Sequence, residues 1–217
     1  MARKEVDAEK RRMAEVLRLL KQEYPEAECS LKYQTPFQLL VATILSAQCT
    51  DDRVNLVTPE LFRKFPGPGE MSKAPLEVIE KLVQSTGFFR SKAKAILETS
   101  KAIVEHHKGE IPQTLEALTK LRGVGRKTAN VVLGVAFGIP GLVVDTHVKR
   151  LSYRLGFTQS TQPEKIEQEM MKLVPMEDWT VFAHLLISHG REVCTARRAF
   201  CDSCVVFRFC PRVGLKE

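Results

Sequence analysis

No stretch of this 217-residue chain is apolar for long enough to cross a bilayer, and the charged start from Met1 to Met13 lacks the apolar core of a secretory signal. No membrane contact is expected, and the chain reads as cytoplasmic. There, clustered cysteines bind metal more readily than they form disulfides. Strand-like alternation of apolar and polar residues is missing too, so the expected fold is all-α. Acidic residues are in deficit: 26 Asp and Glu against 33 Lys and Arg give a net charge of +7 and favour a polyanionic partner. The rest is ordinary for a globular protein. With 44% hydrophobic and 27% charged residues, the chain can bury a core as one large domain or two lobes.

Helix signals run the length of the chain. Residues 1–23 carry Met13, Val16, Leu17 and Leu20 on one face, and Arg3, Lys4, Lys10, Arg11 and Arg12 read as solvated. Thr35-Pro36 is a cap followed by proline, opening a helix with Phe37, Leu40, Val41, Ile44 and Leu45 that ends in Ser46-Ala47-Gln48. Further helices follow from Arg53 and from Pro75. Thr86-Gly87 then stops the chain before the consecutive aromatics Phe88-Phe89, a pair that at a loop–helix junction more often serves a core, and another helix follows. Gly138-Ile139-Pro140-Gly141 is a break suited to a crossing between lobes. Asp145 is placed to cap a helix through Val148, Leu151 and Leu155. Thr161-Gln162-Pro163-Glu164 has the spacing of a capping box.

Two features carry chemistry. In the first, Thr114 caps a short helix, and Leu121-Arg122-Gly123-Val124-Gly125 turns the chain into a second helix apolar nearly all round. That is a helix-hairpin-helix, whose turn N–H groups and positive helix end suit a phosphate. Lys127 stands in the first turn, in register with Val131 and Val135. An apolar stripe beside a positive helix end disfavours the ammonium, which is one way an amine becomes a Schiff-base nucleophile. A lysine that merely touches phosphate fits the same pattern. The second feature is Cys194-x6-Cys201-x2-Cys204-x5-Cys210. Four thiolates suit zinc or a [4Fe–4S] cluster, and spacing alone leaves both open. Arg191, Arg197, Arg198, Arg208, Arg212 and Lys216 outnumber the nearby acids, making this loop a further phosphate-contacting candidate.

Leu-x-Gly-Val-Gly-Arg-Lys-Thr-Ala-Asn from Leu121, Val144-Asp145-Thr146-His147 and the four cysteines together resemble the endonuclease III family of DNA glycosylase/AP lyases, over about Thr35 to Cys210. The resemblance implies a two-lobed helix-hairpin-helix fold. One lobe, 29–139, would be a six-helix barrel holding the hairpin at about 114–138. The other, 1–28 plus 140–217, would hold a [4Fe–4S] cluster on Cys194, Cys201, Cys204 and Cys210. It implies Lys127 and Asp145 as the catalytic pair, Gln48 filling the space of a flipped nucleotide, and Phe88 as a wedge between bases. Gly123, Val124, Gly125, Arg126 and Thr128, with Arg191, Arg197 and Arg198, are the expected phosphate contacts. The expected substrate is double-stranded DNA carrying an oxidised or saturated pyrimidine or an abasic site, bound by a monomer associated with a bacterial nucleoid. Arg122 departs from the family, where proline is common. Two rivals remain: a monofunctional glycosylase of the adenine-mismatch type, which lacks a lysine at 127 and carries a further domain beyond the cluster, and a non-catalytic hairpin module. The latter explains the glycines and charge but not Lys127, Asp145 and the cysteines together.

Overall fold

Eleven α-helices account for most of the chain in the computed structural model, which describes residues 2–215, and side chains from residue 6. They are α1 (Ala2–Glu23), α2 (Pro36–Leu45), α3 (Asp51–Lys64), α4 (Pro68–Met71), α5 (Leu76–Val83), α6 (Phe89–His107), α7 (Leu115–Thr119), α8 (Arg126–Phe137), α9 (Thr146–Arg154), α10 (Pro163–Leu173) and α11 (Trp179–Glu192). No strand forms among the described residues; Cys194 and Ala199 make one isolated antiparallel bridge. The side chains of Arg3 and Lys4, and residues Lys216 and Glu217, lie outside the described residues. The helices divide into two units, Ser30–Ile139 and Met1–Cys29 with Pro140–Glu217.

Within residues 30–139 the centre is α2. Thr35 Oγ1 accepts the Gln38 N–H at 3.2 Å, and Pro36 fills the first helical position, where a missing N–H costs nothing. Every residue from Phe37 to Leu45 is buried. A helix apolar all round must be covered all round, and α3, α6 and α8 pack on it. Truncating a buried leucine such as Leu40 to alanine removes about 2–5 kcal/mol. At the Pro66-Gly67-Pro68-Gly69 cluster the chain forms the one-turn helix α4, which packs against α6.

In the other unit, α1 buries the expected face, Met13, Val16, Leu17 and Leu20, and packs on α10 and α11. Arg12 departs from its expected solvated face. Its Nη1 donates to Leu155 O at 2.6 Å and Phe209 O at 3.0 Å, and its guanidinium lies 3.9 Å from the Phe157 ring centre. Arginine suits this task because its planar fork serves several carbonyls while stacking on a ring. The capping box at Thr161 does not form. Pro163 sets the helix start, Gln162 is the N-cap without a side-chain bond, and Thr161 falls one residue too early.

Candidate functional site

The hairpin is built as its residues require. Thr114 Oγ1 accepts the Ala117 N–H at 3.2 Å, capping α7. The chain reverses through Leu121 N–H to Leu118 O (3.0 Å) and Val124 N–H to Leu121 O (3.2 Å). Gly123 is at φ +75°, and a Cβ there would stand 2.8 Å from Ala95 Cβ. Backbone conformation and the close approach of α6 both demand glycine. With Gly125 as N-cap, α8 starts at Arg126, and the Ala129 N–H reaches Gly125 O at 3.0 Å. The N–H groups of Arg126, Lys127 and Thr128 come before any intrahelical acceptor, at the positive end of the helix.

Lys127 occupies the second position of α8, but it is exposed. The buried face of the helix is Ala129, Asn130, Val132 and Leu133. Lys127 is two residues, about 200°, round the helix from Ala129, and its register partners Val131 and Val135 are half-buried. The burial expected from an all-round apolar helix is therefore absent. What remains is its place at the helix start. Val124 also differs from expectation as a phosphate contact: its side chain is 5% exposed and its N–H is already used by Leu121 O. Arg122 turns to Glu98, with Nη1 to Oε2 at 2.7 Å, while Thr99 Oγ1 donates to the Arg122 carbonyl.

Gln48 and Phe88 share an unusual backbone. Both are left-handed, at φ 51° and φ 47°, and both are exposed, Phe88 by 68%. Non-glycine residues adopt this region rarely, at a cost of order 1 kcal/mol, and they persist where the surroundings over-determine them. An aromatic ring held outward on a strained backbone is a poor core residue and a suitable wedge. Neither φ is written in the local sequence. Also missed was Lys92, which lies in line with the buried Ile96 and Ile103 on α6 and is itself buried; that i, i+4, i+11 register was the available signal.

Asp145 is the N-cap of α9. One oxygen, Oδ1, accepts the N–H groups of His147 and Val148, both at 2.8 Å. The second oxygen is thereby aimed by a carboxylate that the helix start holds rigid. His147 Nδ1 sits 3.2 Å from Arg150 Nη2, a structural contact, and Arg150 continues to Gly190 O at 2.9 Å and Cys194 O at 3.1 Å. His184 is held below the usual histidine range by burial, against the opposing charge of Asp145.

The four C-terminal cysteines, all free thiols, line one pocket together with Leu151 and Val206. Arg154 Nη1 donates to Cys194 Sγ at 3.2 Å, the Arg212 N–H to Cys210 Sγ at 3.4 Å, and His189 Nε2 lies 3.5 Å from Cys204 Sγ. Burial pushes the Cys204 thiol up to about 11, with the other three cysteines adding to the rise, and raises Cys210 for the same first reason. Four thiols lining one pocket, two of them buried against ionisation and two receiving N–H donors, are a donor set that a cationic centre completes. Among the described residues no three His, Cys, Asp or Glu side chains converge closely enough for a single ion. A four-iron cluster asks for a different arrangement, one thiolate for each iron, and the donor set fits it. Arg197 and Arg198 are exposed beside this pocket, and Arg198 lies 4.8 Å from the Phe200 ring centre. Arg191 is exposed one turn earlier.

A hairpin with an open helix start, a capped aspartate and a thiol-lined pocket on an all-α chain define a class. Residues 41–176 match the model of the HhH-GPD superfamily of base excision DNA repair proteins, and the chain belongs to it. Its place within that superfamily is the endonuclease III family of base excision repair DNA glycosylases and AP lyases. Endonuclease III of Synechocystis is 55% identical over 94% of this chain and 94% of its own length. The Bacillus subtilis enzyme is 47% identical over 89% of each chain, and that of Escherichia coli K12 is 39% identical over 93% and 95%. A solved trapped covalent intermediate of an endonuclease III with DNA superposes with a TM-score of 0.89 at 41% identity, covering 94% of this chain and 96% of that one. A thermostable thymine-DNA glycosylase shares the fold, with a TM-score of 0.85 at 20% identity.

Proposed function

We propose that the chain removes oxidised or saturated pyrimidines from double-stranded DNA through a Schiff base on Lys127, then nicks the abasic site. The N–H groups at the start of α8 and the arginines near the cysteine pocket grip phosphates. The damaged nucleotide leaves the stack at a cost of a few kcal/mol, and Gln48 and Phe88 take its place. The Lys127 amine attacks C1′ of the deoxyribose, forming a C–N bond as the bond to the base breaks. Asp145 faces the developing positive charge on the sugar and helps the amine lose its proton. Ring opening yields the iminium, whose electron demand acidifies the C2′ proton. Loss of that proton expels the 3′ phosphate by β-elimination, and water releases Lys127. The enzyme works as a monomer and needs no membrane.

A [4Fe–4S] cluster held by Cys194, Cys201, Cys204 and Cys210 would order the C-terminal loop and its arginines; four protein ligands make it an anchor.

One observation carries this reading: Lys127 stands exposed at the open start of α8, in a chain similar to an endonuclease III solved as a covalent intermediate with DNA. Borohydride reduction in the presence of abasic-site duplex tests it. A covalent protein–DNA adduct is expected from the native protein and none from Lys127→Ala. An adduct that survives in Lys127→Ala rules out this amine; excision without any adduct supports the monofunctional rival.

A further inference from the structure

A buried ammonium that makes no part of the chemistry above needs a reason to be there. Lys92, near the start of α6, is 6% exposed. Burial lowers its affinity for a proton, and replacing it by an apolar side chain of similar length would remove that penalty. Its Nζ instead turns to the backbone, donating to Leu45 O at 2.8 Å and to Thr86 O at 2.7 Å.

The two carbonyls belong to two separate segments. Leu45 is the last residue of α2, three before Gln48. Thr86 ends the short 3-10 turn Gln84–Thr86, two before Phe88. Each is therefore a late fixed point before a left-handed, exposed residue. The same lysine also uses its backbone: its N–H donates to Phe88 O at 3.1 Å, hooking the first turn of α6 onto the wedge residue. A helix end such as α2 leaves its last carbonyls without intrahelical partners. Lys92 supplies one there and ties it to the other loop through a single nitrogen. Two left-handed residues on separate segments would otherwise be free to relax independently.

We propose that Lys92 is a positioning residue for insertion into DNA: by joining Leu45 O to Thr86 O it fixes the loops of Gln48 and Phe88 at the spacing at which both enter one gap in the duplex. The proposal rests on the reading that these two side chains insert. Lys92 touches no DNA and acts through the two loops.

The test compares affinity for a duplex bearing a tetrahydrofuran abasic analogue with affinity for the intact duplex, using the full chain. A 2-aminopurine opposite the analogue reports displacement of the orphaned base. Lys92→Met is expected to lower abasic-duplex affinity about tenfold, the scale of losing directed hydrogen bonds, to leave intact-duplex affinity unchanged, and to abolish the fluorescence change. Where Lys92→Met does not fold, Lys92→Gln, which keeps a donor for one carbonyl, carries the same comparison. Equal loss on both duplexes, or no loss on either, overturns the proposal. The reading beneath it fails separately: Gln48→Ala and Phe88→Ala would then leave the preference for the abasic duplex intact.

Discussion

Residues 30–139 and the segment Cys194–Cys210 are ordered by different means. In the first, α2 buries nine consecutive residues from Phe37 to Leu45, and apolar area removed from water, worth roughly 25 cal/mol per Å², accounts for its order. In the second, the regular structure is the isolated Cys194–Ala199 bridge and two 3-10 turns, Cys201–Ser203 and Phe207–Phe209, and neither turn buries a residue. Val206 is the one fully covered apolar side chain between the first and last cysteine. A segment with so little core cannot offset the entropy of ordering its backbone, about 1–2 kcal/mol per residue. Polar contacts stand in for that core, among them Arg12 at Phe209 O and Arg154 at Cys194 and Thr195, and the cluster proposed above would add four covalent anchors.

That contrast can be broken most directly at Cys204. Cys204→Ser should remove iron and visible colour from the purified protein and leave residues 194–210 exchanging amide hydrogen at unprotected rates, while α2 and α8 keep their protection. A colourless native protein with stoichiometric zinc would contradict the cluster, and protection retained in the loop of the variant would contradict its dependence on any metal. The apolar unit should answer to steric change instead. Gly123→Ala combines a positive φ with a Cβ 2.8 Å from Ala95, and should cost about 3 kcal/mol in denaturant unfolding with no change in metal content. A loss below about 1 kcal/mol would show that the hairpin gives way more easily than its geometry suggests.

The smallest stability effect separates two roles of one side chain. Asp145→Ala should cost about 1 kcal/mol by removing the cap of α9. Asp145→Asn keeps an oxygen for the His147 and Val148 N–H groups, so its stability should stay within a few tenths of a kcal/mol of the native protein. Excision by the asparagine variant should nonetheless collapse. Native-like excision by Asp145→Asn would reduce Asp145 to a cap.

How much could be read beforehand varied with the range of the interaction. Thr35-Pro36, Thr114 and Asp145 announced their helices because a cap bonds an N–H two or three residues away. The face of α1 was legible by period. Local rules misled at Thr161, where Pro163 overrode the box by one residue, and at Lys127, where an apolar helix did not say which of its sides would be covered. Arg12 looked like one charge among many, and its carbonyl partners lie 143 and 197 residues away.

The sequence by itself determined the helices, the glycine turn, the four-thiol spacing and the family to which the chain belongs, because each depends on residues close together or on a fixed pattern. Tertiary structure alone decided that Gln48 and Phe88 stand on left-handed backbone, that Lys92 ties two segments together and that Lys127 lies in the open. Those outcomes depend on which distant carbonyl or side chain arrives at a given point, and a one-dimensional pattern of polarity carries no record of that.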